Sequence, residues 1–312
     1  MAIAYIFPGQ GSQYPGMGKN LVENFSAAKR IFEEANDALR SSISRLCFEG
    51  SEEELQLTEN TQPAILTVSA AVLRTVQSEG FPRPDFVAGH SLGEYSALLA
   101  ASSLSIADAV CTVRSRGRYM QEAVPVGTGA MAAVIGADLK LIEDACAEAR
   151  MGQECAPANI NSPGQVVIAG NTEAIDRAGE LLQSRGAKRF VKLNVSAPFH
   201  CRLMMPAQER LEEDLAKLSF NDLDVPLVTN VDAAAITRGA DARDALVRQV
   251  SSTVRWLESI QLLLKEGVDT FVELGPGRVL SGLMRQISRE VKCFNVEDAD
   301  SLKKAASNLG VS

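Results

Sequence analysis

The chain opens on an apolar run, Ala2-Ile3-Ala4-Tyr5-Ile6-Phe7, halted by Pro8 and Gly9. An uninterrupted run of that length between breakers predicts a buried strand. Leu21, Phe25, Ala28, Phe32, Ala35 and Leu39 then recur at alternating spacings of four and three, which is one face of an amphipathic helix. A second apolar run, Phe86-Val87-Ala88, follows Pro82, Pro84 and Asp85 and passes through Gly89 into Leu92, Tyr95, Ala97 and Leu98. Strand leads into helix twice, and the pattern predicts an α/β fold with a parallel sheet flanked by helices.

The rhythm changes between about 125 and 196. Strand-like segments at Ala130 to Ile135, 156 to 161, Gln165 to Ala169 and Arg189 to Val195 alternate with helix-like segments at 138 to 150 and 172 to 184. The order is β-α-β-β-α-β, the ferredoxin-like pattern of an α+β unit. It is bracketed by Pro125-Val-Gly-Thr-Gly129 and Ala197-Pro198, which have the composition of hinges. Beyond it, strand-like stretches at Pro226 to Val231, Thr270 to Leu274 and Lys292 to Val296 alternate with helix-like ones at 206 to 218, 253 to 265 and 279 to 289. The expectation is a large α/β domain built from 1–124 and 197–312, with a small domain, 125–196, inserted in it. There is no internal repeat and no low-complexity tract.

A length of 312 residues exceeds one simple core and agrees with that division. Apolar residues make up 46% and charged residues 22%, as in soluble globular proteins. No stretch stays apolar for the roughly 18 residues of a membrane span, and the N-terminus carries no positive leader. Neither membrane insertion nor secretion is expected. The six cysteines, Cys47, Cys111, Cys146, Cys155, Cys201 and Cys293, form no C-x-x-C pair and no zinc spacing. They read as reduced thiols of a cytoplasmic protein, with no metal site. A net charge of −8 argues against nucleic acid as a partner, since phosphate contacts need a concentrated basic surface.

Candidate chemistry centres on Gly89-His90-Ser91-Leu92-Gly93. This G-x-S-x-G stands between an expected strand and an expected helix, where a tight turn lifts the serine hydroxyl into a cleft and the helix N-terminus faces developing negative charge. A plain glycine-rich turn is the bland alternative. A serine needs a base, and the chain has only two histidines. His90 adjoins Ser91, where neighbouring side chains diverge, so it reads as support or pocket lining. His200, in Ser196-Ala197-Pro198-Phe199-His200, is the candidate base, with a satisfied core histidine as the alternative. Asp224, Asp232 or Glu273 could orient the imidazole, as could a backbone carbonyl; spacing does not choose among them. Gly9-Gln10-Gly11-Ser-Gln13 lacks the third glycine of a dinucleotide loop and the Gly-Lys ending of a P-loop, so a nucleotide site is not expected.

The segments Phe7 to Gln13, Thr61 to Ala64, Gly89 to Glu94, Arg116-Gly, Gly127 to Ala132, Asn161 to Gln165, Ser196 to His200 and Glu273 to Gly277 resemble, in order, the malonyl-CoA:acyl carrier protein transacylases of type II fatty acid synthesis. The likeness runs over essentially the whole chain. It implies a hydrolase-like large domain, with the active site between it and the ferredoxin-like insertion. It implies that Ser91 carries the acyl group, that His200 is base and acid, and that the N–H groups of Gln10 and Leu92 form the oxyanion hole. It further implies that Arg116 pairs with the free malonyl carboxylate, that Phe199 crowds out an α-methyl group, and that the main-chain carbonyl of Gln249 orients His200. The expected partners are malonyl-CoA and acyl carrier protein, with no cofactor, and a monomer suffices. Fatty acid and polyketide synthesis use the same step. Lys188, Arg189 and Lys192 are the candidate docking surface for an acidic carrier protein. Two rivals remain from the residues alone: a thioesterase or esterase with the same serine and histidine, and a non-catalytic scaffold.

Overall fold

The computed structural model describes residues 2–195 and 197–311. Ser196, part of the expected motif before His200 and the last residue of the expected insertion, lies outside the described residues.

Among the described residues ten strands form two sheets: β1 Ala2–Phe7, β2 Phe86–Gly89, β3 Gly129–Ile135, β4 Cys155–Ser162, β5 Gln165–Asn171, β6 Arg189–Lys192, β7 Leu227–Val228, β8 Ala235–Ile236, β9 Val268–Leu274 and β10 Lys292–Val296. The larger sheet has the order β10-β9-β1-β2-β7-β8. It is parallel except for β8, which turns back on β7. β1 lies at its centre and is buried on both faces. Ile3, Tyr5 and Phe7 pack into one core cluster while Ala4 and Ile6 pack into another, around Trp256, Ile260 and Phe271. Burial on both faces is why this strand reads as a continuous apolar run rather than an alternation.

The smaller sheet has the order β4-β5-β3-β6 and is antiparallel throughout. In chain order that is second, third, first, fourth, which is the ferredoxin-like arrangement expected from the pattern. Period-2 alternation gives its two faces different tasks. Ala132, Val134, Val166 and Ile168 pack on the helices Leu139–Ala149 and Thr172–Ser184. Met131, Ala133, Val167 and Ala169 face the core of the larger body. The smaller sheet is tied to the segment before the helix Trp256–Lys265, where Val254 N donates to Ala158 O at 2.8 Å and Ile160 N to Val254 O at 2.9 Å.

Several expected elements differ in extent. The face from Leu21 to Leu39 is carried by two helices, Lys19–Asn24 and Ser26–Leu39, with Phe25 extended between them. Both halves bury their apolar side in the same cluster, so the spacing continues across the break. The strand expected at Pro226 to Val231 is only Leu227–Val228, because Thr229 N turns to Ala234 O and Asn230 N to the Glu94 carboxyl group. β6 ends at Lys192; Leu193 N still donates to Met131 O, and Leu193 and Val195 line the cleft. No described helix is long and apolar enough to cross a membrane.

Candidate active site

β2 runs straight into the turn that carries Ser91, and the helix Gly93–Ala100 leaves it. Ser91 has φ of 53°, in the left-handed region that costs a residue with a Cβ of order 1 kcal/mol or more. The flanking glycines are required by contact. A Cβ on Gly89 would lie 1.9 Å from the Gly93 carbonyl carbon, and one on Gly93 would lie 2.1 Å from Phe7 O. The turn is thereby pressed against the end of β1, and its serine projects into the cleft.

Two amide side chains hold this strained turn. Ser91 N donates to Asn230 Oδ1 at 2.6 Å, and Asn230 Nδ2 donates to Gly89 O at 2.6 Å. Gln249 Nε2 donates to Ser91 O at 3.0 Å. Below them Glu94, fully buried, accepts from Asn230 N at 3.1 Å and from Gln249 Nε2 at 2.8 Å. The backbone groups that a sharp turn leaves without ladder partners are thus satisfied.

His200, from a part of the chain 109 positions away, places Nε2 2.7 Å from Ser91 Oγ. Its Nδ1 lies 2.9 Å from the main-chain carbonyl of Gln249. A carbonyl can only accept, so Nδ1 carries the proton and Nε2 presents a lone pair to the serine. Gln249 is the last residue of the helix Gly239–Gln249, where carbonyls have no partner within the helix. Asp224, Asp232 and Glu273, the acidic alternatives, are engaged elsewhere or exposed. Asp232 pairs with Arg248 at 2.8 Å. Glu273 accepts from Leu280 N and Ser281 N at the start of the helix Val279–Ile287. Burial pushes the pKa of His200 down to about 3, and the Arg116 charge adds to the depression. The imidazole is neutral near pH 7, as a base must be.

Of the three arginines on the helix Ile106–Glu122, only Arg116 turns inward, and it is 1% exposed. Arg114 donates to Ser41 on the surface, and Arg118 lies over the Tyr119 ring. Arg116 donates to Gln62 Oε1 and Gln249 Oε1, each at 2.8 Å, and to Ser91 Oγ at 3.2 Å. These acceptors are neutral, and its Nε has no partner. A buried guanidinium whose hydrogen bonds all go to neutral groups stands to gain from a further anion, because a desolvated charge gains most from an opposite charge.

The cleft, about 1000 Å³ up to its open mouth, gathers Gln10, Ser91, Leu92, Arg116, Phe199 and His200 from the larger body, and Met131, Asn161 and Val167 from the smaller sheet. Every expected site residue therefore lines it except Gln249, which lies behind, joined to Ser91, His200 and Arg116. Gln10 sits where the loop after β1 meets the turn, since Gly9 has no room for a Cβ beside His90 O, 2.4 Å away. Leu92 stands at the N-terminal end of the helix Gly93–Ala100, where backbone N–H groups are free to donate. His90 points away from the serine hydroxyl to Asn161 Oδ1, at 2.8 Å, with its ring tilted against that of Trp256.

The sequence reading missed Asn230, Glu94, Gln62 and the side-chain role of Gln249. Gln62 and Glu94 lie inside motif segments already noted, Thr61 to Ala64 and Gly89 to Glu94, but as types they suggested no task. Asn230 was hidden in an expected strand.

The model of the acyl transferase domain family matches residues 4–308. The malonyl CoA-acyl carrier protein transacylase of Bacillus subtilis is 51% identical over 310 residues, which cover 98% of this chain and 97% of that protein. The chain belongs to this transacylase family. An acyl carrier protein S-malonyltransferase from Vibrio cholerae superposes with a TM-score of 0.96 at 44% identity, covering 98% of this chain and all of the other. A malonyl-transacylase solved in complex with a type II PKS acyl-carrier protein gives 0.96 at 45% identity, covering 99% and 100%. As a member of the family the chain is an acyltransferase, with the serine, imidazole and guanidinium described above facing one cleft.

Proposed function

We propose that this acyltransferase moves a malonyl group from malonyl-CoA to the phosphopantetheine thiol of an acyl carrier protein, through an ester on Ser91. The observation that carries the reading is a buried Arg116, with no carboxylate in hydrogen-bond contact, donating to the same hydroxyl that His200 contacts. One cleft then offers both a nucleophile for a thioester and a counter-charge for a free carboxylate.

In the first half-reaction Ser91 Oγ attacks the thioester carbonyl carbon while its proton passes to His200 Nε2. The carbonyl oxygen takes up negative charge and is met by the N–H groups of Gln10 and Leu92. The C–S bond breaks, and the CoA sulfur leaves with the proton from His200. In the second half the carrier thiol gives its proton to His200 and attacks the malonyl-serine ester. The C–O bond breaks and Ser91 recovers its proton. The Gln249 carbonyl keeps the imidazole in one tautomer throughout. No oxidation state changes, so we infer that no cofactor takes part. Phe199, 7% exposed beside His200, leaves little room for a branch at the α-carbon.

The Arg116–carboxylate pair has a second effect. Arg116 helps depress His200, so a malonyl carboxylate that neutralises it restores basicity to the imidazole. Malonyl selection therefore acts on the chemical step as well as on binding.

The same reading includes a large unit, 1–124 and 197–312, and an insertion, 125–196, supported by the separate apolar cluster between the small sheet and its two helices. A monomer is supported by a cleft assembled from one chain, and a reducing, cytoplasmic setting by free thiols at all six cysteines.

Incubation with radiolabelled malonyl-CoA tests the core of this reading. Label is expected on Ser91, is discharged by holo carrier protein faster than by water, and is absent from Ser91→Ala. Steady hydrolysis without acceptor would instead make the chain a thioesterase. Arg116→Ala is expected to lower the malonyl over acetyl preference by roughly 10- to 100-fold, the worth of a hydrogen-bonded charge pair.

A further inference from the structure

The steps above use Ser91, His200 and Arg116 and leave the ionisable side chain of Glu94, buried beside them, without a task. Glu94, in the first turn of the helix Gly93–Ala100, is fully buried. Its Oε2 accepts from Gln249 Nε2 and Asn230 N, while Oε1 has no hydrogen-bond partner. Placing a carboxylate there is costly, and the turn could be braced by a neutral group.

The Gln249 amide suggests why a carboxyl group stands there. Its Oε1 accepts from Arg116, and its Nε2 donates to Ser91 O and Glu94 Oε2. One end of the amide meets only acceptors, and the other meets a donor. A flipped amide would press N–H groups on the guanidinium and an oxygen on two other oxygens. Glu94 thus fixes the sense of the amide, and the amide fixes the guanidinium.

We propose that Glu94 is a positioning residue for acyl selection, holding Arg116 toward the cleft through the side chain of Gln249. The proposal rests on the reading that Arg116 receives the acyl carboxylate. It adds an electrostatic consequence. The charged and titratable groups around Glu94 are Arg116 from the helix Ile106–Glu122, Asp232 from the loop after β7, and Tyr95 next to it. Burial raises the Glu94 pKa to about 7. Its negative charge, which offsets Arg116, is therefore lost as the pH falls through neutrality. Oε2 can go on accepting, so the orientation survives while the guanidinium becomes the better anion site. Malonyl over acetyl preference rises as the pH is lowered through about 7.

The test measures kcat/KM for malonyl-CoA and acetyl-CoA with the intact chain at several pH values on either side of 7. Taking the ratio of the two cancels titration of the CoA phosphates, which both substrates share. Glu94→Leu is expected to lower the malonyl preference roughly tenfold, the scale of one misplaced charge-assisted contact. Gln249→Leu keeps its main-chain carbonyl and is expected to do the same, and the double variant to do no more than either single one. Glu94→Gln is expected to retain the preference and to flatten its pH dependence. Wild-type preference in Glu94→Leu, independent losses in the double variant, or an unchanged pH dependence in Glu94→Gln each overturn the proposal. Should Glu94→Leu not fold, the Glu94→Gln profile decides. Arg116→Ala separates the two levels. If it keeps malonyl preference, the reading of Arg116 fails and this proposal falls with it. If it loses preference while the Glu94 variants behave as wild type, only the present inference fails.

Discussion

His200 is both strained and desolvated. Its φ of 60° lies in the left-handed region, as does that of Ser91, so the two groups that must meet each occupy a backbone state that folding has to stabilise from outside. The sequence named both residues, because a short list of histidines and a glycine-flanked serine are visible in any linear reading. What it left open was the orienting partner. A main-chain carbonyl has no letter in a sequence, and only the resemblance pointed to Gln249. The buried imidazole has a measurable cost. Its folded-state pKa, near 3, lies below the ordinary value of 6.5, so between these values the unfolded chain binds more protons than the folded one. The contribution of this group to stability is fully present above pH 6.5 and is lost as the pH falls toward 3, by about 1.4 kcal/mol for each unit. Urea titrations of wild type and His200→Phe from pH 7 to 4.5 are expected to show a steeper decline in the wild type. Parallel declines would mean that the imidazole is not held neutral. Arg116→Ala, which removes a depressing charge and so raises the folded-state pKa, is expected to leave the start of the decline near pH 6.5 but end it at a higher pH, with a smaller total loss.

At the scale of elements, legibility followed the contrast between faces. The helices Leu139–Ala149 and Thr172–Ser184 were visible because one side is buried and the other is wet. The long helix Thr58–Ser78 was not identified, since 16 of its 21 residues are buried and no polar stripe marks its period. Glycine positions were legible as a motif but not as a contact. Gly89 and Gly93 allow backbone to approach backbone, whereas Gly282, within the helix Val279–Ile287, has nothing within 4 Å of where a Cβ would lie. Gly89→Ala is therefore expected to destabilise by about 3 kcal/mol, as overpacking against rigid backbone does. Gly282→Ala is expected to stabilise by about 0.5–1 kcal/mol through the helix preference for alanine over glycine. Thermal unfolding of the two variants compares them in one scaffold. A tolerated Gly89→Ala would show that the turn can open without disturbing the serine.

At the scale of the molecule, the proposed function asks a chain of net charge −8 to receive an acidic carrier protein. Charge repulsion slows encounter unless the mouth of the cleft carries a local excess of the opposite sign. The sequence pointed to Lys188, Arg189 and Lys192. All three are exposed on or beside β6, an edge strand bonded only to β3. From β6 the chain continues through Leu193 and Val195, both of which line the cleft, so a partner bound along this edge would lie next to the entrance. Two features temper the patch. Lys192 is paired with Asp176, and the aliphatic stem of Lys188 lies against Gly136. Exposed lysines on an edge strand also discourage strand pairing between molecules, which is a sufficient reason for their presence without any partner. The two roles differ in what a charge reversal does. A Lys188→Glu/Arg189→Glu/Lys192→Glu chain keeps the edge charged and so remains protected from association. If the patch receives the carrier protein, its KM for that substrate rises by roughly tenfold or more at low salt, and the difference from wild type shrinks as salt screens the interaction. Acylation of Ser91 by malonyl-CoA, measured without acceptor, is expected to stay near the wild-type rate. An unaltered carrier-protein KM would place docking elsewhere on the rim and leave the edge with its protective role alone.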